Sequence, residues 1–201
     1  MATSETQIAN MALRFLGHGK PIGSMDEASD EARACKAFYE TVRDEALRDL
    51  KPQWAKKIVA LGLLEEDPNS EWDYSYMYPA DCLDFIRILS GTRNDHRQSR
   101  VPYRFASGDN GTLIFTDKED AEAEYLRRVT TVLRYPPDFV VLIAYRLAEF
   151  VAPSVAGTGA AKLVAQMHSL YEVQKAKAGA NLGNEEQPEE RPDSEFTRAR
   201  D

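Results

Sequence analysis

WDYSYMYP, residues 72–79, is where the chain changes its period. Trp72, Tyr74, Tyr76 and Tyr78 alternate with Asp73, Ser75 and Met77, which predicts a half-buried strand with an aromatic face. Pro79 ends it, the turn Pro79-Ala80-Asp81-Cys82 reverses the chain, and residues 83–89 read as a second strand. A polar, arginine-rich stretch over residues 92–100 reads as a loop. Residues 101–106 and 112–116 then flank Ser107-Gly108-Asp109-Asn110-Gly111, and Asn-Gly between two alternating segments predicts a hairpin. Residues 118–132 read both ways: composition favours helix, yet Ala123, Tyr125, Arg127 and Val129 alternate.

On either side of this stretch the period is helical. Ser4 and Gln7 stand at capping-box spacing, Ile8, Met11, Ala12, Phe15 and Leu16 follow on one face, and Gly17 is a left-handed stop. A second helix is expected to open at Asp26, or at Ser24 before it. Its apolar stripe runs through Ala28, Ala32, Cys35, Phe38 or Tyr39, Val42, Ala46, Leu47 and Leu50. Asp30, Glu31, Lys36, Glu40, Arg43 and Asp44 are assigned to the opposite face. At some 25 residues this helix, roughly 40 Å long, is expected to be the longest element. Pro52 closes it, and Trp54, Ile58, Leu61 and Leu64 suggest a short third helix.

Pro136-Pro137-Asp138 starts a helix that is apolar nearly all round (Phe139, Val140, Leu142, Ile143, Leu147, Phe150, Val151) and is therefore expected to be central. Pro153 and Gly157 are expected to break it. A last helix over about residues 159–180 shows Leu163, Val164, Met167, Leu170, Tyr171 and Val173 on one face. The expected fold class is α+β, mainly α: a helical bundle with an inserted small antiparallel β lobe and an extended C-terminal arm. The divisions are residues 1–66 and 135–183 for the bundle, 67–134 for the lobe and 184–201 for an acidic arm.

The chain has 201 residues, 43% of them hydrophobic, enough to bury a core without staple or metal. Its formal net charge of −8 argues against a dedicated binder of nucleic-acid phosphates or anionic lipid. Half of that charge lies in residues 185–201, which hold seven acids and three arginines. The longest apolar run, about six residues from Phe139 to Ala144, predicts no membrane span, and the N-terminal residues do not read as a secretory signal. Cys35 and Cys82 are too few for a disulfide framework; two small buried thiols in a reducing compartment are expected.

Catalytic chemistry is not indicated. His18, His96 and His168 lie in three different segments without metal-ligand spacing, so neither metal nor cofactor is expected. Gly157-Thr158-Gly159-Ala160-Ala161-Lys162 lacks the spacer and the Ser/Thr of a phosphate loop and follows a helix, so a turn between helices is the better reading. No Gly-x-Ser-x-Gly occurs. Asp81 and Asp84 could pair as acid and base, but with no nucleophile beside them a capping role is expected for Asp81. The tyrosine stripe could stack bases, but residues 72–78 hold one acid and no cation, so core packing is expected. A site scattered over Asp81, His96 and Arg104 is the remaining enzymatic reading.

Several motifs resemble, in order and over nearly the whole chain, the tail tubular protein A family of tailed bacteriophages. They are Ile8-Ala9-Asn10-Met11-Ala12-Leu13-x-x-Leu16-Gly17, Ala32-x-x-Cys35-x-x-x-Tyr39-x-x-x-Arg43-Asp44-x-x-Leu47-Arg48, Trp54-Ala55, and Trp72-x-Tyr74-x-Tyr76-x-Tyr78-Pro79-x-Asp81-Cys82-Leu83. Thr116-Asp117, Glu124-Tyr125, Arg128-Val129-Thr130, Pro136-Pro137-x-Phe139, Leu147-Ala148 and Asp193-Ser194-x-x-x-x-Ala199-Arg200 complete the set. The resemblance implies a head-to-tail adaptor, a dodecameric ring that joins the portal protein to the tail nozzle (a tail tubular protein B-like component) and through which DNA passes as cargo. It also implies a helical bundle with a β lobe, with strand for about residues 123–129, and a location in the virion after synthesis in the host cytoplasm.

Twelve copies would gather about 96 excess negative charges, so apolar contacts have to outweigh self-repulsion. The second helix and the aromatic lobe are the expected glue, and an acidic lumen would let DNA slide without sticking. The acidic arm is expected to bind a neighbour or the portal, with Phe196 as apolar anchor and Arg198 and Arg200 beside it. The alternative reading is a small cytoplasmic helical regulator that binds one protein partner through that arm.

Overall fold

The computed structural model describes residues 4–92, 100–109 and 111–185. Phe196, Arg198, Arg200, His96 and Asn110 lie outside the described residues, as does the acidic arm beyond residue 185. About half the chain is helix and a quarter strand, arranged as a four-helix bundle with an antiparallel β lobe between its second and third helices.

The first helix, α1 (Glu5–Phe15), starts where the capping pattern predicts: the Ser4 hydroxyl accepts the Gln7 amide at 3.3 Å. Gly17 closes the helix in the left-handed region, φ 79°. Asn10 then fastens the following loop with two bonds. Its Nδ2 donates to the Ile22 carbonyl at 2.9 Å, and its Oδ1 accepts the Ile22 amide at 2.8 Å. The second helix, α2 (Asp30–Leu50), opens later than expected. Ser24 caps only a turn, through the Asp26 amide, and Ser29 is the residue whose hydroxyl accepts the helical Ala32 amide. α2 is 21 residues long and is not the longest element.

Where a short third helix is expected, residues 53–55 make one 3-10 turn and the chain becomes extended. The strands are β1 (Lys56–Ala60), β2 (Leu63–Asn69), β3 (Trp72–Met77), β4 (Cys82–Ile88), β5 (Arg104–Gly108), β6 (Gly111–Thr116) and β7 (Glu122–Arg127). β1 and half of β2 thus fall within residues 1–66. The cause is tertiary: β1 pairs antiparallel with β7, Ile58 opposite Glu124, a partner distant in sequence that local propensity does not see. The strand pattern at residues 72–77, the strand after the turn at Pro79 and the Gly108–Gly111 hairpin follow the sequence, and the stretch that reads both ways is a strand at β7.

Two small sheets result, ordered β1-β7-β4 and β2-β3-β6-β5, all neighbours antiparallel. Tyr76, Ile88, Ile114, Ala121 and Ala123 form the lobe core, drawing on both sheets, with Tyr74, Tyr78, Phe85 and Tyr103 packed around them. Ala123 belongs to this core, whereas Leu126 of the same strand lies in the bundle core. The three-stranded sheet is therefore a middle layer, one face on the bundle and the other on the outer sheet.

The third helix, α3 (Pro137–Ala156), packs against α1, α2 and the last helix, α4 (Ala160–Glu185). Phe139, Leu142, Ile143, Ala144, Leu147, Ala148 and Val151 are all at most 2% exposed. Pro153 does not break α3: it sits in the last turn, where one missing amide is tolerated, and the helix runs on to Ala156. The helical run from Pro137 to Asn184 is long and apolar enough to cross a membrane by length and composition alone, which the short apolar runs of the sequence do not suggest; its most apolar window is half buried inside the protein. α4, at 26 residues, is the longest helix. Met167 and Tyr171 are buried, but Val173, expected on the same face, is 68% exposed. Tyr39 is 1% exposed, and its hydroxyl has no hydrogen-bond partner among the described residues.

These environments order two substitutions. Asn10→Ala removes both bonds to Ile22 and should lower the unfolding free energy by about 2 kcal/mol. Tyr39→Phe removes an unpaired buried hydroxyl and should leave stability unchanged or raise it by about 1 kcal/mol. Urea unfolding of the two variants would refute both environments if Tyr39→Phe proved the more damaging.

Candidate functional site

The polar side of α2 faces three neighbours and is the centre of the described charge network. Arg43, assigned by sequence to the outer face, is 3% exposed. It follows Tyr39 by one helical turn and precedes Ala46 by another, so it borders the apolar stripe and is carried inward with it. Burial pulls its pKa down, but Asp44 alongside more than reverses that and the guanidinium stays charged. Asp44 accepts from Arg43 Nε at 2.8 Å and from Arg128 Nε, just beyond β7, at 2.8 Å. One carboxylate therefore ties the bundle to the lobe.

A cleft of about 750 Å³ opens beside this contact between α2 and β4. Asp44, Glu45, Arg48, Asp49, Lys51, Asp84 and Arg128 line it with Cys82 and Leu83. Most of its charges are neutralised locally. Lys51 pairs with Asp84 at 2.6 Å, and Glu45 accepts from Arg146 Nε of α3 at 3.1 Å. Asp49 accepts the Tyr171 hydroxyl of α4 at 2.7 Å. Arg146 also reaches Glu149 at 2.7 Å and lies 5.0 Å from the ring centres of both Phe150 and Tyr171. Glu45 first, and then Glu149, hold Arg146 above its ordinary pKa against the effect of burial. Such a cleft holds two parts of the fold in register.

Asp81 does more than cap its turn. Its carboxylate accepts the Tyr125 hydroxyl at 2.6 Å and Lys57 Nζ at 3.4 Å, which links the β3–β4 turn to β7 and β1. Burial is the largest single influence and raises its pKa, but Tyr125 and Lys57 together outweigh it and leave the carboxyl below its ordinary value of 3.8. Asp84 is drawn to Lys51 instead, so the two carboxylates do not act as a pair. Arg104 pairs with Glu71, and His96, the third residue of the scattered reading, lies outside the described residues.

The described histidines are each satisfied by a carboxylate: His18 by Glu31 at 3.6 Å and His168 by Glu149 at 3.3 Å. Among the described residues no group of histidine, cysteine and carboxylate side chains could hold a metal ion. Cys35 is fully buried, its thiol pushed up to about 11 by burial and by Glu31. Cys82 is only half-buried, and its Sγ donates to the Tyr78 hydroxyl at 3.1 Å. Gly157–Gly159 is a 3-10 turn between α3 and α4, as the absence of phosphate-loop spacing predicts. The tyrosine stripe packs into the lobe core.

The surface also exposes apolar side chains. Ile58, Leu63, Leu64, Met77 and Phe105 of the lobe are 43–59% exposed, and Leu133 and Val173 more so. Sequence reasoning could not find these, because each sits in a regular strand or helix and only the third dimension leaves it uncovered. The chain matches no family model, and no curated protein matches it.

Arg43→Ala should cost about 3 kcal/mol through the cavity left at a buried site, and Arg43→Met clearly less, because its side chain refills that volume and Asp44 keeps Arg128 in both variants. Arg128→Ala, at a half-exposed guanidinium, should cost under about 1 kcal/mol. Thermal unfolding of the three variants gives the order, and Arg128→Ala as the worst would contradict it. For Asp81, a folded pKa below the unfolded one stabilises fully above pH 3.8 and the contribution is lost as pH falls through the folded value. The stability difference between the wild type and Asp81→Asn should accordingly shrink on acidification; curves that stay parallel through the acid range would show that the carboxylate is not the source.

Proposed function

We propose that this chain is a head-to-tail adaptor of a tailed bacteriophage: copies close into a ring between the portal and the tail nozzle, and DNA passes through the ring on ejection. The observation that carries the reading is the ordered set of motifs along the chain, from the Asn10 segment to the Pro136-Pro137-x-Phe139 start of α3. The fold adds support at particular residues. Asn10 of the first motif clamps the loop at Ile22, Arg43-Asp44 of the second ties bundle to lobe, and Asp81 and Tyr125 of two further motifs bond to one another. Residues that carry the resemblance are thus ones the fold uses.

Two physical features fit a structural ring component. The charges where α2 meets the lobe are arranged as local pairs within the chain, and Ile58, Leu63, Leu64, Met77 and Phe105 leave apolar surface exposed on the lobe. A ring built from such chains would present excess negative charge to passing DNA, which phosphates do not bind. The acidic arm, with Phe196, Arg198 and Arg200, would serve as a contact to the portal or a neighbouring copy.

Electron microscopy of particles made when this gene carries an early stop codon tests the proposal. Filled or leaking heads without tails are expected. Intact, tailed, infectious particles would remove the adaptor reading and leave the regulator as the better one.

A further inference from the structure

Among the described residues the outer sheet, ordered β2-β3-β6-β5, has two edge strands with no further sheet neighbour, and they differ in charge. β2 carries Leu63 and Leu64, 50% and 48% exposed, followed by Glu65, Glu66 and Asp67. None of these three acids has a cation within ion-pair distance among the described residues. The other edge, β5, carries Arg104 and the 43% exposed Phe105, with exposed Arg100 just before it. Arg104 does have a partner, Glu71 at 3.3 Å, but both side chains are 67% exposed. Exposed pairs of that kind hold by about 0–1 kcal/mol and exchange partners readily.

Resting on the ring reading, we infer that neighbouring copies of this chain pair in solution through these two edges, the β2 edge of one copy against the β5 edge of the next. Three considerations select this pairing over others. Each edge strand has a neighbour on one side only, so its outward amides and carbonyls lack sheet partners. Juxtaposing β2 with β2 sets acids against acids, and β5 with β5 sets arginines against arginines, so both two-fold dimers are disfavoured. Juxtaposing β2 with β5 brings Glu65 and Glu66 towards Arg100 and Arg104 and lets Leu63 and Leu64 cover Phe105. Direction also fits: every neighbour in the sheet is antiparallel, so β2 runs opposite to β5 and the alternation continues across the junction.

The contact uses two different patches, which makes it head-to-tail, the kind of contact from which a ring is built when the rotation between neighbours closes. The irregular register of β2 at Leu63/Glu65 and Glu66/Asn69, with Asp67 at φ 51°, keeps the edge from forming a long flat ladder. Side chains rather than an extended backbone ladder would then set the specificity.

Charge exchange tests the inference on the full-length chain. Glu65→Arg with Glu66→Arg makes both edges basic, and Arg100→Glu with Arg104→Glu makes both acidic. All four positions are exposed, so the fold should survive, which circular dichroism checks. In sedimentation velocity over a concentration series, the wild type should associate, and each variant alone should associate roughly a hundredfold more weakly. An equimolar mixture of the two variants, or one chain carrying all four exchanges, should regain association. Wild-type association that both charge variants retain, failure of mixture and four-fold exchange alike to regain it, or a wild type monomeric at every concentration would each overturn the inference. The stop-codon particles distinguish the two proposals: tailless heads together with any of those results leave the adaptor reading standing and remove only the edge contact.

Discussion

A helix that is apolar on nearly every side cannot face water, and the burial of α3 is the constraint from which the rest of the fold follows. Covering it takes three helices, drawn from both ends of the chain: α1 and α2 come from before the lobe and α4 from after it. Everything between α2 and α3 is consequently extruded from the bundle. The extruded strands cannot be stable as isolated hairpins, so they build a second core of their own, seated on the first through the three-stranded sheet. Two cores that share β7 make bundle and lobe a single structural unit.

The polar side of α2 is the second organising feature. Arg43 and Asp44 hold the lobe through Arg128, Glu45 holds α3 through Arg146, and Asp49 holds α4 through Tyr171. Apolar packing decides that these elements meet; the charged contacts decide the register in which they do so, since a hydrogen bond is directional and a buried side chain without its partner is costly. Within the cleft beside α2, acids and bases pair with one another, Lys51 with Asp84 and Arg128 with Asp44.

Electrostatics also frames the proposed ring. A chain with a net charge of −8 repels its copies at long range, so association has to come from short-range apolar contact and from charges set locally opposite one another. The uneven distribution of charge between the two edges of the outer sheet meets that requirement, with attraction at the junction and repulsion between like edges. Net charge alone would not reveal this, because acidic and basic strands cancel in the sum.

Much of the architecture is determined by the sequence on its own, wherever the signal is local. The Ser4 cap, the all-apolar α3, the aromatic alternation at residues 72–77 and the Gly108–Gly111 turn are such cases, because each depends on neighbours a few residues away. Tertiary structure decided what depends on distant partners. Residues 56–60 became a strand because β7 was there to pair with, Asp44 found Arg128 beyond β7, and Asp81 found Tyr125 across the sheet. The position of β2 and β5 at opposite edges of one sheet is of the same kind. Strand order is a property of the assembled sheet, and neither edge carries a mark in its own residues that says which strand will lie beside it.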